Sequence, residues 1–394
     1  MQILQIALKP VYPLNDGGKL AIKNMTDLLN LAGCSVKILS ISTPKHGFHP
    51  SSYPKGFIEK FEVENQYINT DIKPFKALKS LLFSSLPYNL ERFIENGFKD
   101  KLKAILQKQS FDVILFESLF TTPYVDLIKQ YSKAKLVFRP HNIEHEIWYN
   151  LSLESKGIKA AYYKHLAKRL KSYELQLKNK FDAVITISKN DDDFFSQSFN
   201  CKILNIPFTL NKTYTDEYIE NQLNLFFIGS MDWEPNIKGM LWFLKNVWEK
   251  VSNENKSLQF HIAGRNIEKA NLPFGQYKNL VVHQNIENAV EFMQSNGIMV
   301  VPLFSGSGIR IKILEAMACA KPIISTTKGA VGIDYSSDQI KIADDPDLFI
   351  QHILDLTNHF ELRKKLGNNA LNLIKNRYLT SNYTIPLKKL FESL

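Results

Sequence analysis

The chain has 394 residues, enough for two domains that each bury a substantial core, and its 44% hydrophobic content is ordinary for a globular protein. Lys+Arg 49 against Asp+Glu 39 gives a net charge of +10, which suits anionic partners such as nucleotide diphosphates, phospholipid head groups or nucleic acid without choosing among them. No run is long and apolar enough to span a bilayer, MQILQIALKP does not read as a signal peptide, and Cys34, Cys201 and Cys319 lack metal-ligand spacing, as expected for buried, reduced thiols in a cytosolic protein.

Ile3 to Leu8 reads as a first strand. A loop with Gly17 and Gly18 follows, then a helix from Lys19 to Ala32, a stop at Gly33 and a second strand from Val36 to Ile41. This order opens a doubly wound sheet, and the loop lies at the strand's carboxyl end, where such sheets bind ligands. The spacing is not G-x-G-x-x-G, so the Gly-Gly pair taken alone reads first as an ordinary turn. Pro44, Pro50, Pro54 and Gly56 predict an exposed loop. Tyr67 to Phe98 predicts short helices with Phe75, Leu78, Leu81 and Leu82 apolar, read as a solvated face over the core in preference to a membrane surface.

FDVILFES at 111–118 is a buried strand; a helix from Pro123 to Gln130 and a strand from Lys135 to Phe138 follow. Just past that strand, RPHNIEHEIW at 139–148 gathers Arg139, His141, Glu144, His145 and Glu146, where open α/β sheets keep working residues. His141 and His145 share a face if helical, but the H-E-x-x-H pattern is absent, so a substrate-contacting histidine is the better reading than a metal site. A basic helix spans Gly157 to Lys180, DAVITIS forms a strand, and Ser188 caps a helix whose Asp191 to Asp193 suit its N-terminus. Thr209 to Gln222 is polar and aperiodic, and reads as an interdomain linker.

The second half repeats this grammar. LNLFFIGS is a strand whose exit carries Gly229, Trp233, Pro235, Asn236 and Lys238; the helix Met240 to Val251 carries Trp242, Phe243 and Trp248. LQFHIAGRN is a strand ending at Gly264 and Arg265, and NLVVHQNIE is another. The run from Ile298 to Phe304 is too continuous for a half-exposed strand, and it breaks at Ser305 to Gly308 before a helix from Ile309 to Ala320. Arg310 and Lys312 in the first turn of that helix make a diphosphate cradle, and Glu315 one turn on can accept hydrogen bonds from a hydroxyl pair. Alternatively Lys312 and Glu315 form a surface pair with Arg310 solvated. Successive strands place Gly229, Arg265 and Glu315 at one edge of one parallel sheet.

These residues resemble the group 1 retaining glycosyltransferases of GT-B fold. The likeness covers nearly the whole chain and is densest in GSMDWEPN at 229–236, AGRN at 263–266, GSGIRIKILEAMA at 306–318, KGAVGID at 328–334 and IADDPDLFI at 342–350, with PHNIEHEIW and the Gly17-Gly18 loop in the first half. It implies an α/β protein of two facing Rossmann-like domains, residues 1–208 for the acceptor and 223–380 for the nucleotide-sugar donor, joined by 209–222, with 381–394 as a helix crossing back. By this resemblance Arg310 and Lys312 neutralise the donor diphosphate, Glu315 binds the ribose, His141 contacts the sugar, and Gly17 and Gly18 offer N–H groups to the β-phosphate. Gly229, Trp233, Asn236, Arg265, Ser307, Gly308 and Ile309 complete the donor site.

Two positions depart from the family pattern. Ser307 stands where the first carboxylate of Glu-x(7)-Glu is usual, and Gly229-Ser230 replaces a Gly-Arg pair, leaving phosphate binding to Arg310, Lys312 and also Arg265 or Lys238. The resemblance implies sugar transfer in cell-surface glycan synthesis with retention, no cofactor or metal, a glycan or lipid-linked acceptor, and a cytoplasmic place with peripheral contact at an anionic inner membrane face; the basic residues are spread out rather than clustered with aromatics in a recognised module, so no nucleic-acid partner is expected. A donor-binding scaffold without turnover and a nucleotide-sugar epimerase on the same fold are the alternatives.

Overall fold

The computed structural model describes residues 1–394 except 74, 76–79, 81–83, 85, 271 and 307. The chain forms two compact units, one of Met1–Pro207 with Tyr383–Leu394 and one of Phe208–Asn382. In the first, β1 (Gln2–Ala7), β2 (Ser35–Ser42), β3 (Glu64–Tyr67), β4 (Val113–Glu117), β5 (Lys135–Arg139), β6 (Ala183–Thr186) and β7 (Lys202–Asn205) form a parallel sheet in the order β3-β2-β1-β4-β5-β6-β7. Alternate side chains enter two separate cores: Leu4, Ile6, Ile114 and Phe116 on one face, Ile3, Ala7, Val113 and Leu115 on the other. Burial on both faces is why β4 from Val113 to Phe116 and β6 from Ala183 to Ile185 are continuously apolar rather than alternating, whereas the edge strand β3 is polar. The helices Gly17–Leu31 and Thr384–Glu392 bury Ile22, Met25, Leu28, Leu387, Leu390 and Phe391 in the second of those cores, so the chain's last helix belongs to the first unit.

The second unit repeats the plan with β8 (Leu225–Ile228), β9 (Phe260–Gly264), β10 (Leu280–Gln284), β11 (Ile298–Val301), β12 (Ile323–Ser325) and β13 (Lys341–Ile342) in the order β10-β9-β8-β11-β12-β13. Strand order reverses between β1 and β4 in one sheet and between β8 and β11 in the other. A crevice at the carboxyl ends follows at each reversal.

Several boundaries differ from the sequence reading, each for a local reason. The first helix begins at Gly17, because the Asp16 carboxylate accepts from the Lys19 N–H at 3.0 Å and draws both glycines into the first turn. The helix expected from Met240 starts at Glu234 with Pro235 in its first turn, a position that needs no N–H, and its middle, Leu244–Trp248, winds as a π-helix. The strand expected to reach Phe304 stops at Val301, because Pro302 cannot donate to the ladder. The following helix is Ile311–Ala318, which leaves Arg310 at its cap rather than in its first turn. Thr209 to Gln222 lies against the second unit: Leu210 bridges to Leu379, the Tyr214 N–H donates to Ala318 O at 3.0 Å, and Tyr218 packs on Ala320 and Leu371.

Cys319 is buried, whereas Cys34 and Cys201 are half-buried rather than fully enclosed. In the region 67–98, Phe75 is 90% exposed, and Leu78, Leu81 and Leu82 lie outside the described residues. Among the described residues no helix is long and apolar enough to cross a membrane.

Gly264 marks where β8 and β9 converge. A Cβ there would overlap the Gly229 carbonyl group, which is fixed backbone. Gly264→Ala is expected to cost about 1–3 kcal/mol or more by overpacking, measured by urea unfolding of the full chain.

Candidate functional site

The carboxyl edge of the second sheet holds the larger constellation. Ser305 and Gly306 follow β11, and Gly306 and Gly308 sit at φ +102° and +80°, in the left-handed region that lets the chain double back into the helix Ile311–Ala318. Any side chain on Gly306 would strike the Arg310 guanidinium and the Trp233 ring. Arg310 is therefore packed in place: its guanidinium lies 5.0 Å from the Trp233 ring centroid, Nη2 donates to Ser305 O at 3.4 Å, and burial lowers its pKa.

Lys312 sits deeper. Its Nζ donates to Ile228 O, the last carbonyl of β8, at 3.0 Å and to Asn236 Oδ1 at 3.4 Å, and it lies 4.1 Å from the Phe227 ring centroid. Asn236 Nδ2 in turn donates to Ser230 O at 2.7 Å, so Asn236 ties the β8 exit to Lys312. Burial, helped by the Arg310 charge, brings the Lys312 ammonium down to about 7. Glu315 is half-buried on the same helix, and burial raises its carboxyl to about 7. No ion pair joins Lys312 to Glu315 among the described residues, so the surface-pair reading of these two does not hold. The start of this helix, where Ile313 N–H donates to Arg310 O at 2.8 Å, sits beside both cations.

Arg265 is exposed at the β9 end, where its carbonyl accepts from Met231 N at 2.9 Å, and Gly229 lies beside it on the β8 exit. Lys238 is exposed and paired with Glu234 at 3.2 Å. Gly308 and Ile309 lie between the glycine turn and the helix, and Ser307 is outside the described residues. Thus Gly229, Trp233, Asn236, Gly308, Arg310, Lys312 and Glu315 share one edge, at the reversal between β8 and β11.

A second constellation occupies the first sheet's carboxyl edge. Glu117 ends β4 fully buried, and its Oε2 accepts from Arg139 Nη1 at 2.8 Å and His141 Nε2 at 2.7 Å, while Oε1 accepts from Gln5 Nε2 at 2.8 Å. Thr26 Oγ1 holds Gln5 Oε1 at 2.7 Å. Burial alone would raise the Glu117 carboxyl, but Arg139 and His141 more than offset it and hold it below its usual range. Burial lowers the His141 pKa, and Glu117 only partly restores it. Donating Nε2–H to Glu117 leaves Nδ1 of a neutral His141 ring as an acceptor.

His145 does something else. It pairs through Nδ1 with buried Glu174, whose carboxylate also accepts from Glu144 N at 2.9 Å, so Glu174 caps the helix Glu144–Glu154 from a neighbouring helix. Burial and the Glu174 charge bring Glu144 up to about 7. Gly17 and Gly18 form the first turn of their helix, close to the Lys9–Asp16 pair at 3.0 Å. At the carboxyl ends of β1, β2 and β3 a cavity of about 560 Å³ opens, lined in part by Lys9, Lys45, His46, Asp71, Arg92 and Phe93. Among the described residues no group of three His, Cys, Asp or Glu is arranged to hold a metal ion.

Sequence reading missed Glu117, Gln5, Glu174 and the Phe227 ring under Lys312. For Glu117 a signal existed: a lone carboxylate closing the apolar run VILFE, where burial demands a partner.

Residues 222–359 match the family described as Glycosyl transferases group 1. An uncharacterized 44.6 kDa protein in the cps region of Klebsiella pneumoniae is 25% identical over 403 residues, spanning 100% of this chain and 98% of its own. Two solved structures share the fold: a sucrose-phosphate synthase from Thermosynechococcus elongatus at TM-score 0.66, 12% identity and 100% and 98% of the two chains, and Anabaena HepE in complex with UDP and glucose at TM-score 0.61, 13% identity and 100% of both. The fold and the matched domain define a glycosyltransferase of GT-B fold. Its second unit carries the Glycosyl transferases group 1 domain.

Glu117 is the member of the first constellation whose loss is easiest to read. Glu117→Ala leaves Arg139 buried without its counter-charge and is expected to cost about 3–5 kcal/mol in urea unfolding, with Glu117→Gln costing less because it keeps its shape and part of its hydrogen bonding.

Proposed function

We propose that the chain transfers a sugar from a nucleotide-sugar donor bound by the second unit to a glycan or lipid-linked acceptor bound by the first, retaining configuration and using no metal ion. The setting is cell-surface glycan synthesis, in the cytoplasm, with peripheral contact at an anionic inner membrane face. The observation that carries this reading is the placement of Arg310 and Lys312 beside a helix start at the sheet's reversal point, with Glu315 one turn further on. Negative charge grows on a departing diphosphate in the transition state, so two cations already fixed by Trp233, Ile228 and Asn236 stabilise that state more than the ground state. Glu315 is set to accept from the ribose hydroxyls. His141, held by Glu117, offers a neutral ring nitrogen to a sugar hydroxyl, and the cavity beside Lys9, Lys45 and Arg92 is the acceptor candidate. The UDP and glucose bound by Anabaena HepE favour a uridine nucleotide donor, and the cps location of the Klebsiella relative favours a polysaccharide product.

The test is a thermal-shift screen of the full chain against UDP, GDP, ADP, TDP and CMP with their sugar conjugates. One nucleotide class is expected to raise the melting temperature. Arg310→Ala and Glu315→Ala are each expected to weaken that binding about tenfold or more with the unliganded melting temperature little changed, since each loses a charge-assisted contact. Unchanged affinity in both variants overturns the site assignment. Binding without sugar transfer to any glycan acceptor favours the reading of a donor-binding scaffold, for which Ser307 in place of a carboxylate is the sequence feature.

The pH dependence has a defined shape. Diphosphate binding needs Lys312 protonated and ribose binding needs Glu315 ionised, and both titrate at about 7 in the free protein. Affinity is therefore expected to peak near neutrality, falling above it as Lys312 loses its proton and below it as Glu315 gains one. Calorimetric titration across pH checks this: Lys312→Met removes the alkaline limb and Glu315→Gln the acid limb.

A further inference from the structure

The most exposed large hydrophobic side chains of the first unit's second half cluster in one place, the hairpin formed by the helices Glu144–Glu154 and Gly157–Gln176. At its turn Leu153 is 68% and Ile158 91% exposed, and Tyr149, Leu151 and Tyr162 beside them are exposed as well. The base of the hairpin is anchored: Leu166, Leu170, Tyr173 and Leu177 enter the core, and Arg169 donates to the Leu86 carbonyl at 2.7 Å. The tip is not. From Gly157 to His165 only Ala160 and Tyr163 are even half-buried, and Tyr163 packs on Trp148 of the partner helix, so the first turns of the long helix rest on the hairpin itself.

The charge around this tip is one-sided. Between residues 150 and 173 Glu154 is the single acidic residue, while Lys156, Lys159, Lys164, Lys168 and Lys171 are all exposed. Five apolar or aromatic side chains held out in water at a turn, followed by a row of solvent-facing lysines, are a costly surface with nothing among the described residues covering it. We propose that this hairpin tip is a membrane-docking element: Leu153 and Ile158 enter the head-group boundary of an anionic bilayer, the tyrosines sit at the interface, and the lysines contact lipid phosphates. The inference locates the peripheral membrane contact of the proposed function and rests on that part of it alone, not on the donor. It also moves the contact away from the region 67–98, where the sequence had offered a basic amphipathic face.

Charge complementarity selects this occupant. A second copy of the chain would set one lysine row against another at net charge +10, whereas a bilayer rich in anionic lipid meets apolar and cationic groups at once. The experiment is co-sedimentation of the full chain, without nucleotide, with vesicles of phosphatidylcholine alone and of phosphatidylcholine mixed with phosphatidylglycerol. The expected result is binding to the mixed vesicles that weakens with added salt and falls about tenfold or more in Leu153→Ser/Ile158→Ser, since burial of two aliphatic side chains is lost. Lys156→Glu/Lys159→Glu is expected to reduce binding to the mixed vesicles too. Both variants keep the wild-type melting temperature and any nucleotide-induced shift, which separates this outcome from failure of the donor site. No binding to either vesicle overturns the proposal, as does equal binding by wild type and both variants. Concentration-dependent self-association abolished by Leu153→Ser/Ile158→Ser overturns it too, and assigns the tip to a second copy of the chain.

Discussion

A parallel sheet covered on both faces leaves one place for polar chemistry, its carboxyl edge, and both units obey that constraint. The central strands are largely apolar because each face meets helices, so a buried polar side chain within one, such as Gln5 or Glu117, needs a partner. Where the strand order reverses, neighbouring connections leave in opposite directions and their ends separate. Every residue assigned a chemical role stands at or just past such an end. The close approach of Gly264 to Gly229 belongs to the same constraint, since it brings two strand exits together with no side chain between them.

The two constellations solve the electrostatics of burial differently. In the first unit Glu117 is buried with three donors aimed at it, and the sum of those contacts keeps it ionised against the cost of burial. That arrangement fixes geometry, and its output is a histidine ring held in one orientation. In the second unit, among the described residues, Lys312 donates to neutral acceptors, a strand-end carbonyl and an amide, and Glu315 forms no ion pair. Neither has an opposite charge beside it among the described residues, and burial displaces each towards neutrality.

Much of the fold was legible because the signals were long and consistent. Continuous apolar runs marked β1, β4, β8, β9 and β11, with glycine breaks closing β8, β9 and β11, and the repeated order marked two doubly wound units. The site in the second unit was legible for a similar reason: Arg310, Lys312 and Glu315 lie within six residues of a single element, so local spacing carries their geometry. What escaped was non-local. Glu117 and His141 are joined only because β4 and β5 are neighbours in register, Glu117 beside Arg139, and no local pattern reports that. His145 and Glu174 meet across two helices, which makes an apparent site residue the partner of a capping carboxylate. The segment 209–222 read as a linker because its anchors, Leu210 and Tyr218, are isolated and lack a period.

The two constellations also differ in whether a buried charge meets an opposite charge within the protein. Glu117 takes its counter-charge from within the protein, through Arg139 Nη1 at 2.8 Å, although Nε and Nη2 of Arg139 are buried without a hydrogen-bond partner among the described residues. Lys312 and Glu315 sit three residues apart on one helix, yet the lysine turns to the β8 carbonyl and the two do not pair. Had they paired, each would have been stabilised in its charged form and would have had little to gain from an incoming group. Held apart and half-buried, each gains most from a ligand that carries negative charge at one end and hydroxyl donors at the other. A nucleoside diphosphate has that pattern, and in the proposed reading the one-turn offset between the two side chains would set its polarity along the helix, phosphates at the start and ribose further on.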